Sequence, residues 1–170
     1  MTDSIYRKQR LCKILLEEIR VRKNLKENKS KDGVCDQIIR TIINYQFLPD
    51  NHSGRAMSDY QKSYNPTISL EAKKILETSK TFADFHKKTI NEHQFPIANI
   101  FEWIWDNCLS IEWKDIEDKI NTYPMVTITL EEDKKLRITK NVIGDPKKRY
   151  EEAGIIVTHL DKPPKDFFKN

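Results

Sequence analysis

Pro96 is the residue that most constrains how this chain can fold, because it separates two segments of different character. Before it, the short run 90–93 is β-like. After it, apolar residues recur at helical spacing: Ile97, Ile100, Phe101, Ile104, Trp105 and Cys108. Proline suits the first turn of a helix, where its missing N–H is not needed. The segment is therefore expected to run from a strand, through a bend, into a strongly apolar helix.

Length and composition indicate one domain spanning 1–170, since 170 residues are enough for a single core and too few for two comfortable ones. No apolar run approaches the roughly 18 residues that crossing a bilayer requires, and the first residues lack the apolar region of a signal peptide. The three cysteines are widely spaced and form no C-x-x-C pair, which argues against structural zinc and against a disulfide framework. We expect a protein of the reducing cytoplasm that does not enter a membrane.

The periodicity predicts an α+β fold, mainly helical with a small sheet of two or three strands. Besides the β-like run before Pro96, strands are expected at 125–130 and 155–160, where apolar and β-branched residues dominate. The segment 48–67 has no periodicity and is expected to form a long loop. Helices are expected over most of the remaining chain, one of them opened by Asp145 and Pro146 and closed by Gly154. The tail after Asp161 is expected to be extended or frayed.

Positive charge is concentrated near the start, since residues 1–31 carry ten Lys or Arg and four acids. A basic first helix is typical of a surface that contacts phosphates, although a merely solvated helix face would have the same composition. The residues predicted to contact nucleic acid come from this helix and from a second basic run. They are Arg7, Lys8, Arg10, Arg20, Lys147, Lys148 and Arg149.

The pair Glu92 and His93 is the candidate for chemistry. Histidine titrates near neutral pH and suits a general base, whereas a carboxylate beside it can hold a hard cation such as Mg²⁺. Adjacent residues of a regular strand point to opposite faces, so the two side chains can converge only at a strand end or a bend. Pro96 supplies a reason for the chain to bend at that place. A histidine bonded to a backbone carbonyl at a strand–helix junction is the alternative interpretation.

These residues carry a resemblance. The segment 92–97, Glu-His-Gln-Phe-Pro-Ile, resembles the [D/E]-H-x-x-P-[I/L] segment of the HNH, or ββα-metal, endonucleases. The resemblance implies that Glu92 is a metal ligand and that His93 is the general base. The segment 127–136 is similar to the strand and helix that close such sites, and Asp133 stands where a histidine or asparagine ligand is expected. Overall, 88–157 resembles an HNH-like core from a bacterial restriction or mobile-element context.

Three features depart from that family. Asp133 lies 40 positions after His93, with two predicted helices between them, whereas the usual core is more compact. An aspartate replaces the usual histidine or asparagine, and the cysteine pairs that brace many of these enzymes are absent. An acid can still bind Mg²⁺, so the implied role of Asp133 is retained.

The resulting hypothesis is an endonuclease that depends on Mg²⁺ or another divalent cation and acts on nucleic acid, with DNA favoured and RNA left open. Glu92 and Asp133 would hold the metal, and His93 would activate water. One alternative is a non-catalytic nucleic-acid-binding or regulatory module that uses the same basic surfaces. Another is an interaction protein whose apolar helix 97–108 docks on a partner or on a second copy as a homodimer.

Overall fold

The computed structural model describes residues 3–29, 33–49, 61–139 and 145–168. In chain order the described elements are α1 Asp3–Asn24, α2 Gly33–Asn44, β1 Thr67–Ser69, α3 Leu70–Thr78, α4 Phe82–Lys88, β2 Thr89–His93, α5 Ile97–Asn107, α6 Trp113–Thr122, β3 Met125–Thr129, α7 Leu130–Ile138, α8 Pro146–Glu152, β4 Val157–His159 and a 3₁₀ helix Pro164–Phe168. Within these ranges, no helix combines the length and the apolar character needed to cross a membrane.

The chain divides into two compact units. The helical unit comprises Met1–Ala56 and Phe95–Pro124, and the sheet unit comprises Met57–Gln94 and Met125–Asn170. The predicted HNH-like core at 88–157 is therefore shared between the two units rather than contained in one. That the whole chain behaves as one domain stays a prediction.

In the helical unit, α1 packs against α2, α5 and α6, and α2 also packs against α5. Helix α5 buries the apolar face that its periodicity predicts, whereas α1, with apolar spacing at Leu11, Ile14, Leu15, Ile19 and Leu25, leaves Ile14 and Leu25 exposed. The largest fully buried side chains of this unit are Leu15, Leu16, Ile19, Ile39, Ile42, Phe101, Ile104, Ile116 and Ile120. The apolar side of α5 is thus already covered, which removes the free face that docking through helix 97–108 would need.

The sheet unit confirms the α+β class, but the sheet has four strands among the described residues instead of the predicted two or three. Their order is β2-β3-β1-β4, with β1 and β3 parallel and the other neighbours antiparallel. The missed strand is β1, which has only three residues and all of them buried. A run of that length shows no alternation, so the sequence gives it no strand signal.

Each face of the sheet is covered by a different set of helices. Ile90, Val126 and Ile128 point to the face that packs against α7 and α8, which we call the α7/α8 face. Ile68 points to the opposite face and packs against α3, α4 and the aromatic residues of the 3₁₀ helix. The C-terminal tail, which was expected to be extended or frayed, is therefore folded onto the sheet.

Local signals in the sequence fix most helix ends. The Thr129 side chain accepts a hydrogen bond from the Glu132 N–H and starts α7 directly at the end of β3. Asp145 caps α8 and Pro146 occupies its first turn, as predicted. Gly154, at φ 67°, follows the last turn of α8, a conformation that favours glycine.

The predicted loop 48–67 is described only in part, because 50–60 lie outside the described residues. Its last portion is held by Asn65, whose buried side chain donates to the Met125 carbonyl at 3.1 Å and accepts from the Thr67 N–H at 2.9 Å. Asn65 therefore positions the start of β1 beside β3.

Candidate functional site

Strand β2 places Glu92 and His93 on opposite faces of the sheet. Its pairing with β3 is regular from Thr89 to His93, so side chains alternate along it. Glu92 lies on the α7/α8 face, whereas Asn91 lies on the other face and accepts a hydrogen bond from the Thr127 hydroxyl at 2.9 Å. By the same alternation, the side chain of His93 points to the same face as that of Asn91, away from Glu92.

The structure therefore does not bring the imidazole of His93 to the carboxylates. The expected convergence fails because strand pairing continues through His93, before the bend at Pro96 begins. Consistent with this, the described residues contain no group of three or more His, Cys, Asp or Glu side chains that could hold a metal ion. The two predicted metal ligands, Glu92 and Asp133, by contrast interact electrostatically with each other. Together with the arginines that they bond, Arg149 and Arg137, they form what we call the cluster.

Glu92 forms a largely buried ion pair with Arg149 of α8. The Nη2 atom of Arg149 donates to Oε1 of Glu92 at 2.9 Å, and the two side chains are 14% and 19% exposed. Burial raises the pKa of Glu92 above its ordinary value, although the charge and hydrogen bond of Arg149 act to lower it. The charge of Asp133 also raises this pKa, which shows that the two carboxylates affect each other.

Asp133, in the first turn of α7, holds a second arginine. Arg137 donates to its Oδ2 from Nε at 2.9 Å and from Nη2 at 2.7 Å. This guanidinium is exposed, and its positive charge acts to lower the pKa of Glu92. The i, i+4 spacing of Asp133 and Arg137 is visible in the sequence and could have predicted this pair.

The donor set fits a Mg²⁺ ion only in a limited sense. Glu92 and Asp133 each bond an arginine through one oxygen, which leaves Oε2 and Oδ1 without a hydrogen bond to the described residues. Mg²⁺ is commonly held by one or two carboxylates, with water and phosphate oxygens as its other ligands. The two carboxylates suit that mode of binding, but not a site made entirely of protein ligands.

Two polar atoms of α8 are buried in the same region without a hydrogen bond to the described residues: Nη1 of Arg149 and the hydroxyl of Tyr150. Burial is also the main reason that the pKa of Tyr150 is raised far above its usual value, and the negative charge of Glu92 adds to it. Buried polar atoms without partners are rare and costly. Tyr150 was not predicted as a site residue, since its place depends on how α8 packs on the sheet.

The position of Asp133 is fixed from the adjacent residue, Glu132. A single oxygen of Glu132, Oε2, accepts from the Ser69 hydroxyl at 2.6 Å and from the Thr129 N–H at 2.8 Å. Ser69 ends β1 and Thr129 ends β3, so this carboxylate joins the ends of the two parallel strands. It also ties together the first turns of α3 and α7, because Ser69 and Thr129 cap these helices.

The basic first helix is largely used inside the helical unit. Lys8 contacts Glu117 at 3.1 Å. Arg20 donates to the carbonyls of Cys108 and Ile111, each at 2.8 Å, just after the last turn of α5. Segment 95–124 carries six acids and only two lysines. The positive charge of α1 thus complements an acidic part of the same unit, and phosphate contacts by Lys8 and Arg20 would have to compete with these bonds.

Of the other predicted cations in α1, Arg10 is exposed and Arg7 is half-buried. The second basic run differs from α1. Residues 134–149 carry seven Lys or Arg and one acid. Lys135, Lys147 and Lys148 are exposed and form no ion pair within the described part of the chain.

The site therefore consists of a partly buried cluster of acids and arginines, Glu92, Asp133, Arg137 and Arg149, beside exposed lysines of α7 and α8. The resemblance to HNH endonucleases rests on the segments 92–97 and 127–136, which contribute Glu92 and Asp133 to this cluster. Comparison of the chain with protein-family models, with curated proteins and with solved structures finds no match.

Proposed function

We propose that this protein binds the phosphate backbone of DNA through the exposed cations of α7 and α8. The observation that carries the proposal is the charge of segment 134–149, which contains seven Lys or Arg residues and one acid. Lysines that neutralise phosphates release counterions, and this release drives binding. Cations already held in internal ion pairs contribute less, as Arg137 and Arg149 are by Asp133 and Glu92. Within the described part of the segment, the exposed cations without an ion pair are Lys135, Lys147 and Lys148.

Lys147 and Lys148 are the clearest phosphate contacts. Both are exposed in the first turn of α8, where their backbone N–H groups bond the Asp145 side chain and leave the ammonium groups free for a ligand. Arg149, the next residue, is held by Glu92, so it anchors the helix rather than reaching outward. The buried ion pair thus orients a helix whose exposed lysines bind.

Replacing Lys147 and Lys148 together by glutamine should weaken binding to a short DNA duplex about tenfold. The slope of log affinity against log salt should fall by about 2, that is, by about 1 for each lost phosphate contact. Fluorescence anisotropy over a salt series measures both quantities. Lys87 and Lys88, an adjacent exposed pair in the last turn of α4, provide the matched control with the same loss of charge.

An equal loss of affinity in the Lys87 and Lys88 control would show that only net charge matters, and would overturn the assignment to α8. Absence of salt-dependent binding by the unaltered protein would overturn nucleic-acid binding altogether. Tighter binding to a single-stranded or duplex RNA of the same sequence would replace DNA as the target. The same anisotropy titration answers all three questions.

A second candidate function is magnesium-dependent cleavage of the bound nucleic acid. It is favoured by the mutual influence of the Glu92 and Asp133 charges and by the oxygen that each leaves outside its arginine bonds. When bound, the metal would stabilise negative charge on a phosphate. Glu92 and Asp133 would hold that ion, and the lysines of α8 would hold the neighbouring phosphates. Three free cysteines are consistent with the reducing cytoplasm that we propose as its location.

Supercoiled plasmid incubated with the protein and Mg²⁺ tests this activity. We expect nicking that EDTA abolishes and that falls at least about a hundredfold in Glu92→Gln, while the exposed neighbour control Glu131→Gln keeps the full rate. If the unaltered protein binds plasmid but does not nick it with Mg²⁺ or Mn²⁺, cleavage is excluded and only binding remains. A His93→Ala protein that cleaves at the full rate would remove the imidazole from the site, as the opposite faces of β2 lead us to expect.

A further inference from the structure

Three aromatic rings of the helical unit converge on one lysine. The Nζ atom of Lys119 lies 5.1 Å from the ring centroid of Phe95, 5.3 Å from that of Trp103 and 5.4 Å from that of Tyr123. Phe95 and Tyr123 are stacked, with centroids 5.2 Å apart. We call these three rings the aromatic cluster.

The electrostatics of the cluster favour a cation. The face of each ring is the negative part of its quadrupole, and all three distances fall within the roughly 6 Å over which a cation is attracted. Within the described residues, Lys119 has no carboxylate partner, so the rings are its main electrostatic contacts. Attraction to one ring is common, whereas here three ring centroids lie within 5.4 Å of one ammonium nitrogen.

The cluster is also reachable. The three rings and Lys119 are all half-buried rather than enclosed. Lys119 approaches from α6 on a flexible four-carbon side chain that can swing into solvent. A primary ammonium is strongly hydrated and gains from returning to water, whereas a methylated ammonium loses less hydration when it contacts aromatic faces.

We propose that the aromatic cluster is a binding site for a methylated or quaternary ammonium group, such as trimethyl-lysine in a partner protein. Lys119 occupies this site in the free protein and is displaced when the ligand binds. The site lies on the helical unit and uses none of the residues proposed to contact DNA. It would add recognition of a modified protein to the proposed binding of nucleic acid.

The intramolecular lysine sets the affinity. If Lys119 fills the cluster about nine-tenths of the time, a ligand sees only one tenth of the molecules as competent, and its apparent affinity falls about tenfold. Replacing Lys119 by alanine should therefore raise the apparent affinity for the ligand about tenfold. Lys13 provides the matched control, because its Nζ lies 5.1 Å from the centroid of a single ring among the described residues, that of Trp113.

The experiment titrates the 170-residue chain with Nε-trimethyl-lysine and with unmodified lysine. The backbone amide signals of 119–123 in NMR spectra report binding, so the same readout serves the Trp103 variant. We expect Lys119→Ala to bind trimethyl-lysine about tenfold more tightly than the unaltered protein and to prefer it to lysine. Lys13→Ala should behave like the unaltered protein. Adding Trp103→Ala to Lys119→Ala should abolish the gain.

Equal affinity of Lys119→Ala and the unaltered protein for trimethyl-lysine would overturn the proposal, as would equal affinity for the two amino acids. Thermal melting establishes that each variant is folded before titration. If Lys119→Ala does not fold, Lys119→Ser gives the same comparison and the same two outcomes. DNA binding measured on Lys119→Ala should be unchanged, so this result is independent of the proposed function.

Discussion

Replacing Arg149 by methionine should lower the free energy of unfolding by about 3–5 kcal/mol at neutral pH, the usual cost of removing one partner from a buried ion pair. The variant leaves the Glu92 carboxylate on the α7/α8 face without its guanidinium, close to the charge of Asp133. Methionine retains much of the arginine stem, so loss of packing adds little. Urea denaturation measures the difference.

The loss should depend on pH. Because burial raises the pKa of Glu92 above its ordinary value of 4.5, the folded protein binds a proton there more tightly than the unfolded chain does. The free energy of unfolding therefore falls as pH rises from about 4.5 through the raised pKa. Without Arg149 that pKa rises further, so the deficit of the variant should be small near pH 4 and should grow toward neutral pH.

The neighbouring Lys148→Met is the matched control, because this lysine is exposed and forms no ion pair in the described part of the chain. It should change stability by less than about 0.5 kcal/mol. The double variant Arg149→Met with Glu92→Met removes both charges and should recover most of the stability. A single Arg149→Met protein as stable at pH 7 as Lys148→Met would show that the pair is not energetically important.

Local features of this fold were predictable because their signals lie within a few residues. Apolar spacing predicted the buried side of α5, and Asp145, Pro146 and Gly154 predicted both ends of α8. Strand β3 was visible from its β-branched run. Strand β1 was missed, because an interior strand of three buried residues is too short to show an alternation of apolar and polar side chains.

The candidate site was predictable only in part, because its contacts join distant positions. The sequence suggested Glu92, Asp133 and Arg149, and the structure places them in one cluster, but it could not show that Arg149 binds Glu92 across 57 positions. The prediction that α1 contacts phosphates rested on composition alone, for a related reason. Composition cannot distinguish a cation that faces solvent from Lys8 or Arg20, whose partners lie about a hundred positions further along the chain.

Glu132 also joins distant positions, because it bonds Ser69 across 63 positions. Glu132→Ala should therefore lower the free energy of unfolding by about 2–4 kcal/mol. The change leaves the Ser69 hydroxyl and the Thr129 N–H buried without their acceptor, and each such group costs about 1–3 kcal/mol. Its control is the adjacent residue, Glu131, whose side chain is 76% exposed and pairs with the exposed Lys134. Glu131→Ala should change stability by less than about 0.5 kcal/mol.

Two further variants separate the hydrogen bonds from the charge. Glu132→Gln keeps a carbonyl oxygen that can accept from Ser69 and Thr129, so it should lose clearly less stability than Glu132→Ala. A cycle of Ser69→Ala, Glu132→Ala and the double variant should give a coupling energy of about 1–3 kcal/mol, as expected for side chains in direct contact. Urea denaturation of all variants, at one pH, supplies these values. If Glu132→Ala costs no more than Glu131→Ala, the carboxylate does not hold the ends of β1 and β3 together, and another contact must fix the first turn of α7.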